Sequence, residues 1–264
     1  MTQAAGSLVL TEVDSGIGIV TLNRPQQHNV LDASLAASLI AALDGMAGQP
    51  EVRVIVLSAL GDSFCIGADP LELEGSGLMQ VEPALAARLM RSLNECIRPV
   101  VARVQGPASG LGAGLVAACD VAIAGFDAHF AFDGVRAGLV SAVIAPYVIA
   151  AIGPQRTRRY FLTGERFSAS EAYRIGLLSE IVATADDLDD AVGEMVDALL
   201  LGGPRAQQQI KSLVRALGRP RVDERTIDHT VELEHRIETG AEVQEGLDAL
   251  FARRHPGWVP GGTS

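Results

Sequence analysis

Two apolar runs, Val52–Leu57 and Val100–Val104, each lead into a glycine-containing turn, and this pairing restricts the fold more than any other feature of the chain. A nearly unbroken apolar run reads as a strand covered on both faces, the habit of parallel sheets. Parallel neighbours need crossover connections, so helices must lie between such strands. The first turn holds Phe64-Cys65-Ile66-Gly67-Ala68-Asp69. The second, Gly106-Pro107-Ala108-Ser109-Gly110-Leu111-Gly112-Ala113-Gly114, opens a helix of small residues that ends near Cys119.

The rest of the chain fits this frame. Leu8–Val13 and Ile17–Leu22 flank Asp14-Ser15-Gly16, a hairpin signal. Asp32 or Ser34 caps a helix to about Ala47, with Leu35, Leu39, Ile40 and Leu43 on one face. Pro83–Ile97 reads as a helix, and Val121–Ala124, His129–Phe132 and Leu178–Val182 as short strands. Helices are expected near Gln155–Leu162, Ala169–Ile175, Leu188–Leu201, Pro204–Leu217 and Asp223–Phe251. The pattern is an α/β core followed by a helical region.

Composition excludes several functions. Hydrophobic residues make up 48% and aromatics 4%, enough for a large aliphatic core. A net charge of −11 repels phosphate backbones, so nucleic acid is not expected as a partner. Cys65, Cys96 and Cys119 form no C-x-x-C pair and read as buried thiols. The acidic cluster Asp186, Asp187, Asp189 and Asp190 falls at a helix start, where the dipole favours it, so no metal is expected there. His229, Glu232 and His235 read as a solvated helix face, and His129 as a strand residue. The start of the chain shows no signal peptide, and the most apolar stretch, Ala137–Gly153, is too short and broken to span a bilayer. A soluble, cytoplasmic protein without membrane contact is expected.

The two glycine turns are where chemistry is expected. A strand that ends in glycines at a helix start presents backbone N–H groups to an anion. Two such turns from neighbouring strands can aim one N–H each at a single oxygen and form an oxyanion hole. The same glycines also suit tight turns and close packing. A dinucleotide site is disfavoured because Gly110-x-Gly112-x-Gly114 is not G-x-G-x-x-G. A serine hydrolase is disfavoured because Ser109 lacks the G-x-S-x-G frame.

Four stretches, in order, resemble the crotonase (enoyl-CoA hydratase/isomerase) superfamily, in the style of its actinobacterial members. They are Leu22-Asn23-Arg24-Pro25 with Asn29-Val30-Leu31, Phe64 to Asp69, Val104 to Asp120, and Leu162-Thr163-Gly164-Glu165 with Ala172 and Gly176-Leu177. The resemblance implies a crotonase-type spiral of ββα units over residues 1–200 and a helical C-terminal trimerisation region over 201–264. It implies a homotrimer or a dimer of trimers, and an acyl-CoA thioester as ligand, with coenzyme A entering as part of the substrate and no separate cofactor. The N–H groups of Ala68 and Leu111 become the oxyanion hole, with Gly67 and Gly110 shaping it. Asp69 and Pro70 lie along CoA, and Leu73, Leu78 and Met79 border the acyl pocket. Arg24, or Arg253 with Arg254, supplies the phosphate contacts, because Gln26 and Leu71 stand where relatives carry lysines.

The family pattern breaks at its acid–base groups. Its two hydratase glutamates fall on Gly114 and Gly134, which have no side chain to move a proton. Asp133 is the nearest acid and the candidate replacement. Hydratase activity is therefore expected to be low. The open readings are an acyl-CoA enzyme with unconventional acid–base groups, a non-catalytic acyl-CoA binder, and a structural protein that keeps the scaffold.

Overall fold

The computed structural model describes residues 6–67, 81–217 and 223–254. Its main sheet has six strands in the order β1 (Val9–Asp14), β2 (Ile17–Leu22), β3 (Val54–Ala59), β4 (Val100–Val104), β6 (Val121–Gly125) and β9 (Glu180–Val182). β1 and β2 form the expected hairpin, with Asp14 paired to Ile17. Ser15 and Gly16 both have positive φ, as a two-residue turn with the strand's own twist requires. Every later pairing in this sheet is parallel.

β3 shows why the apolar runs matter. Ile55 and Leu57 point into the larger core, among residues of α1 (Ala33–Gly48) and α2 (Pro83–Glu95). Val54 and Val56 point the other way, against Leu188, Val192 and Val196 of α6 (Ala185–Leu200). Both faces are dry, so a period-2 polar pattern has no place there. The α1 cap is as expected: Asp32 Oδ1 accepts from the Leu35 N–H at 2.7 Å.

A second, three-stranded sheet joins β5 (Ala108–Ser109), β7 (His129–Ala131) and β8 (Phe167–Ser168). Between β5 and β6 runs α3 (Leu111–Ala118). A 3-10 turn at Asp133–Ala137 follows β7 and precedes α4 (Ala145–Thr163). α5 (Ala169–Ile175) and α7 (Pro204–Leu217) occupy their expected ranges.

Two helical expectations are corrected. α4 begins at Ala145, not Gln155, because its first half continues across a break at Gly153 (φ 78°) just before Pro154. The single helix expected over Asp223–Phe251 is two, α8 (Glu224–Glu238) and α9 (Ala241–Phe251), separated at Gly240. β8 was not expected at all; two residues are too few to show a period. The acidic cluster serves α6, as expected: Asp187 forms a capping box with Thr184, and Asp189 pairs with Arg103 at 2.5 Å. None of the described helices is long and apolar enough to cross a membrane.

Candidate active site

The two glycine turns meet. Cys65 and Ala108 form a parallel bridge, and the Ser109 N–H donates to the Cys65 carbonyl at 3.0 Å. The Ser109 hydroxyl donates to the Ile66 carbonyl at 2.9 Å, so this serine ties the turns together. Phe64 and Cys65 both donate to the Pro107 carbonyl. Two glycines are obligatory here. A Cβ on Gly67, whose φ is +74°, would lie 2.7 Å from the Ser109 oxygen and 3.2 Å from the Leu111 nitrogen. A Cβ on Gly112 would lie 2.0 Å from the Cys65 oxygen. Leu111 is the first residue of α3, so its N–H has no intrahelical acceptor and sits at the positive end of the helix. The Gly110 N–H is used by the Ala131 carbonyl at 2.9 Å. Burial pushes the Cys65 thiol up to about 12, which keeps it protonated and inert beside the turn.

The Asn-Arg-Pro stretch proves to be a support for this arrangement. Asn29, fully buried with φ +53°, donates to the carbonyls of Leu60 and Ser63, both at 2.9 Å, and accepts from the Arg24 N–H. It pins the loop leaving β2 to the loop that carries Phe64–Gly67. The Leu31 N–H then donates to the Gly67 carbonyl at 2.8 Å.

A cavity of about 540 Å³ opens at the turns, bounded by Ile66, Ser109, Gly110 and Leu111. Leu31, Val81, Ala86, Leu139 and Ile144 make it mainly apolar. Among the described residues its charged side chains are Asp133, Arg136, Arg166 and Glu234. A larger groove of about 710 Å³ between α1, α2 and α8 lies away from both glycine turns.

Asp133 is exposed and starts the 3-10 turn, which brings it to the cavity. Gly114 and Gly134 differ in the room they leave for a side chain. A Cβ on Gly114 would lie 2.5 Å from Ile144 Cγ2, and one on Gly134 would lie 3.3 Å from Leu139 Cβ. Gly114 is thus packed against Ile144, whereas a side chain at Gly134 needs Leu139 to give by only a few tenths of an ångström.

The other expected site residues divide. Ala68, Asp69, Pro70, Leu71, Leu73, Leu78 and Met79 lie outside the described residues. Arg24 pairs with Asp32 at 2.7 Å, which anchors it to the start of α1. Arg254 pairs with Glu245 at 2.7 Å, and Arg253 is exposed. His229, Glu232 and His235 are exposed on α8. His129 is a strand residue whose pKa burial pushes down, with Arg166 adding to the effect.

Three charged cavity residues escaped the sequence reading: Arg136, Arg166 and Glu234. For the arginines no spacing rule applies. Glu234 had a signal, since it falls seven residues after Ile227 and three after Val231, on the face that packs into the core.

α9 closes the far side. Val243 and Leu247 pack with Ala137 and Leu139, and a Cβ on Gly246 would lie 2.4 Å from the Ala137 oxygen. The helix therefore rests directly on the turn that carries Asp133 and Gly134.

Comparison with known proteins agrees with this architecture. The sequence profile described as "Enoyl-CoA hydratase/isomerase" matches residues 12–260. A probable enoyl-CoA hydratase of Mycobacterium tuberculosis is 33% identical over 258 residues, covering 93% of this chain and 95% of its own. A mevalonyl-coenzyme A hydratase of Aspergillus fumigatus is 28% identical over 249 residues, covering 92% and 91%. The crystal structure of an enoyl-CoA hydratase from Mycobacterium avium superposes with a TM-score of 0.85 at 32% identity, over 97% of this chain and 100% of that one. The fold is the crotonase fold, and the chain belongs to the enoyl-CoA hydratase/isomerase family.

Proposed function

We propose that this protein is an acyl-CoA enzyme that generates and stabilises a thioester enolate, and that it is a poor hydratase. The observation that carries this reading is Leu111, whose N–H stands at the head of a helix and which lines a mainly apolar cavity that also holds carboxylates. A donor fixed at that point stabilises charge that develops on a thioester oxygen. The Ala68 N–H is its partner in the proposed hole. Asp133, on the open side of the cavity, moves a proton between substrate and solvent. Hydration is slow because neither Gly114 nor Gly134 carries a side chain that can hold or deprotonate a water, and Ile144 fills the space beside Gly114.

The cavity also bears on CoA. The chain carries a net charge of −11, so its phosphates need a local cationic patch. Arg136 and Arg166 at the cavity supply one. Arg253, exposed just after α9, is a further candidate. We further propose the homotrimer or dimer of trimers that the C-terminal region implies.

The test uses two substrates. Butyryl-CoA in deuterated water reports enolate formation as exchange of the α-hydrogen, followed by NMR. Crotonyl-CoA reports hydration. Exchange is expected, with hydration about 10²-fold or more slower than in a two-glutamate relative, the usual worth of a positioned acid or base. Asp133→Asn is expected to lower exchange while leaving butyryl-CoA affinity nearly intact. Absence of exchange overturns the reading, whether or not butyryl-CoA binds.

A further inference from the structure

We propose that Glu234 is a second acid–base residue of this site, delivered by the C-terminal region in place of the carboxylates absent at Gly114 and Gly134. The inference rests on the enolate-forming function proposed above and names a group that takes part in it.

Three observations support it. Glu234 is 7% exposed, on the face of α8 that also buries Ile227 and Thr230. A carboxylate on such a face loses most of its hydration, which makes it unusual as packing material. Its side chain lines the same cavity as Leu111 and Asp133. Its Oε2 accepts from the Val143 N–H at 3.1 Å. That last contact fixes where the carboxylate is. Val143 adjoins Ile144, the residue whose Cγ2 occupies the space beside Gly114. The Glu234 carboxylate is thus held beside Val143 on the cavity wall, arriving from α8 and not from α3.

The step balances simply. The Glu234 carboxylate takes the proton from the carbon α to the thioester carbonyl. The C–H electron pair becomes the enolate double bond, and the carbonyl pair moves onto the oxygen held by the Leu111 N–H. Return of a proton, or a deuteron after exchange with solvent, restores the thioester. The other charged groups lining the cavity are Asp133, Arg136 and Arg166.

The alternative is that Glu234 merely ties α8 to the loop before α4. Glu234→Gln separates the two, because its amide oxygen still accepts from Val143. Exchange of butyryl-CoA α-hydrogens, its pH profile, butyryl-CoA affinity and thermal stability are measured for the wild type, E234Q, E234A and E234D. We expect E234Q to lose about 10²-fold or more in exchange rate, with affinity and melting temperature little changed. The limb of the pH profile that reports a carboxylate should vanish with it. E234D, which keeps the acid but withdraws it, should fall between, and it serves as the folded variant if E234Q is unstable. An E234Q protein with wild-type exchange and an unchanged pH profile overturns the assignment, as does an E234D protein with wild-type exchange. A loss seen in E234A but not in E234Q overturns it as well, and marks a structural tie. Wild type that binds butyryl-CoA without exchanging it overturns the enolate reading itself, and the inference with it.

Discussion

Leu111 contributes to the site through its backbone, so side-chain and backbone substitutions should part company there. Leu111→Pro removes the N–H while proline is tolerated in the first turn of a helix. We expect it to lower enolate formation by about 10²–10³-fold, the cost of removing one such donor. Leu111→Ala should be mild, and α-hydrogen exchange on the two variants checks the contrast. Gly114 makes a different point. Gly114→Glu does not restore a hydratase, because the new Cβ arrives 2.5 Å from Ile144 Cγ2. Overpacking of that kind costs about 1–3 kcal/mol, measurable by denaturant unfolding. Gly114→Glu with Ile144→Ala should recover the stability and raise crotonyl-CoA hydration above that of the single variant. The sequence showed glycine at 114 and 134, where the family resemblance implies carboxylates. The aliphatic group packed against Gly114 was not legible there, since Ile144 reaches it through tertiary structure alone. For the same reason Glu234 could be seen on an apolar helix face but not placed at Val143.

Elements with a strong local signature were legible nearly to the residue. Asp32 caps α1, Ser15-Gly16 turns the first hairpin, and Val100–Val104 is a strand with its expected limits. Elements whose limits depend on distant packing were not. The apolar stretch ahead of Gln155 has no polar face to show a helical period, because Tyr147, Val148 and Ile152 are all buried. Around α5, a polar cluster does the holding. Glu171 Oε2 accepts from Arg174 Nε at 2.6 Å, and its Oε1 accepts from the Tyr160 hydroxyl at 2.5 Å. The hydrogen bonds from Arg174 and then Tyr160 pull the Glu171 pKa down from 4.5 to about 2. A depressed carboxylate contributes stability that is present above its unfolded pKa and lost as pH falls through the folded one. Stability should therefore decline as pH drops from 4.5 towards about 2. In Glu171→Gln that decline should be shallower, as read from denaturant midpoints across the range.

At the scale of the molecule, α7 is turned the unusual way round. Lys211, whose side chain is 10% exposed, faces inward to Asp120 and the Arg98 carbonyl, and Arg215 donates to the Asn94 carbonyl at 3.0 Å. Ile210, Leu213 and Val214 face out, at 57%, 57% and 63% exposure. An apolar stripe at i, i+3 and i+4 on the outside of a helix asks for a partner surface. The proposed trimer supplies one. Sedimentation of the wild type at micromolar concentration should give a trimer or larger, and Leu213→Asp with Val214→Asp should shift it towards monomer. A stable wild-type monomer would contradict the proposed assembly.

The sheet is laid down in the order of the chain, β1 through β4, then β6 and β9, so a ribosome has released every strand by residue 182. The walls that α8 and α9 give the cavity come from residues 224–251. Translation therefore completes the scaffold well before it completes the pocket. A nascent chain can hold its sheet together while the cavity still stands open, and a polypeptide released early keeps the glycine turns but lacks both the cover over them and Glu234.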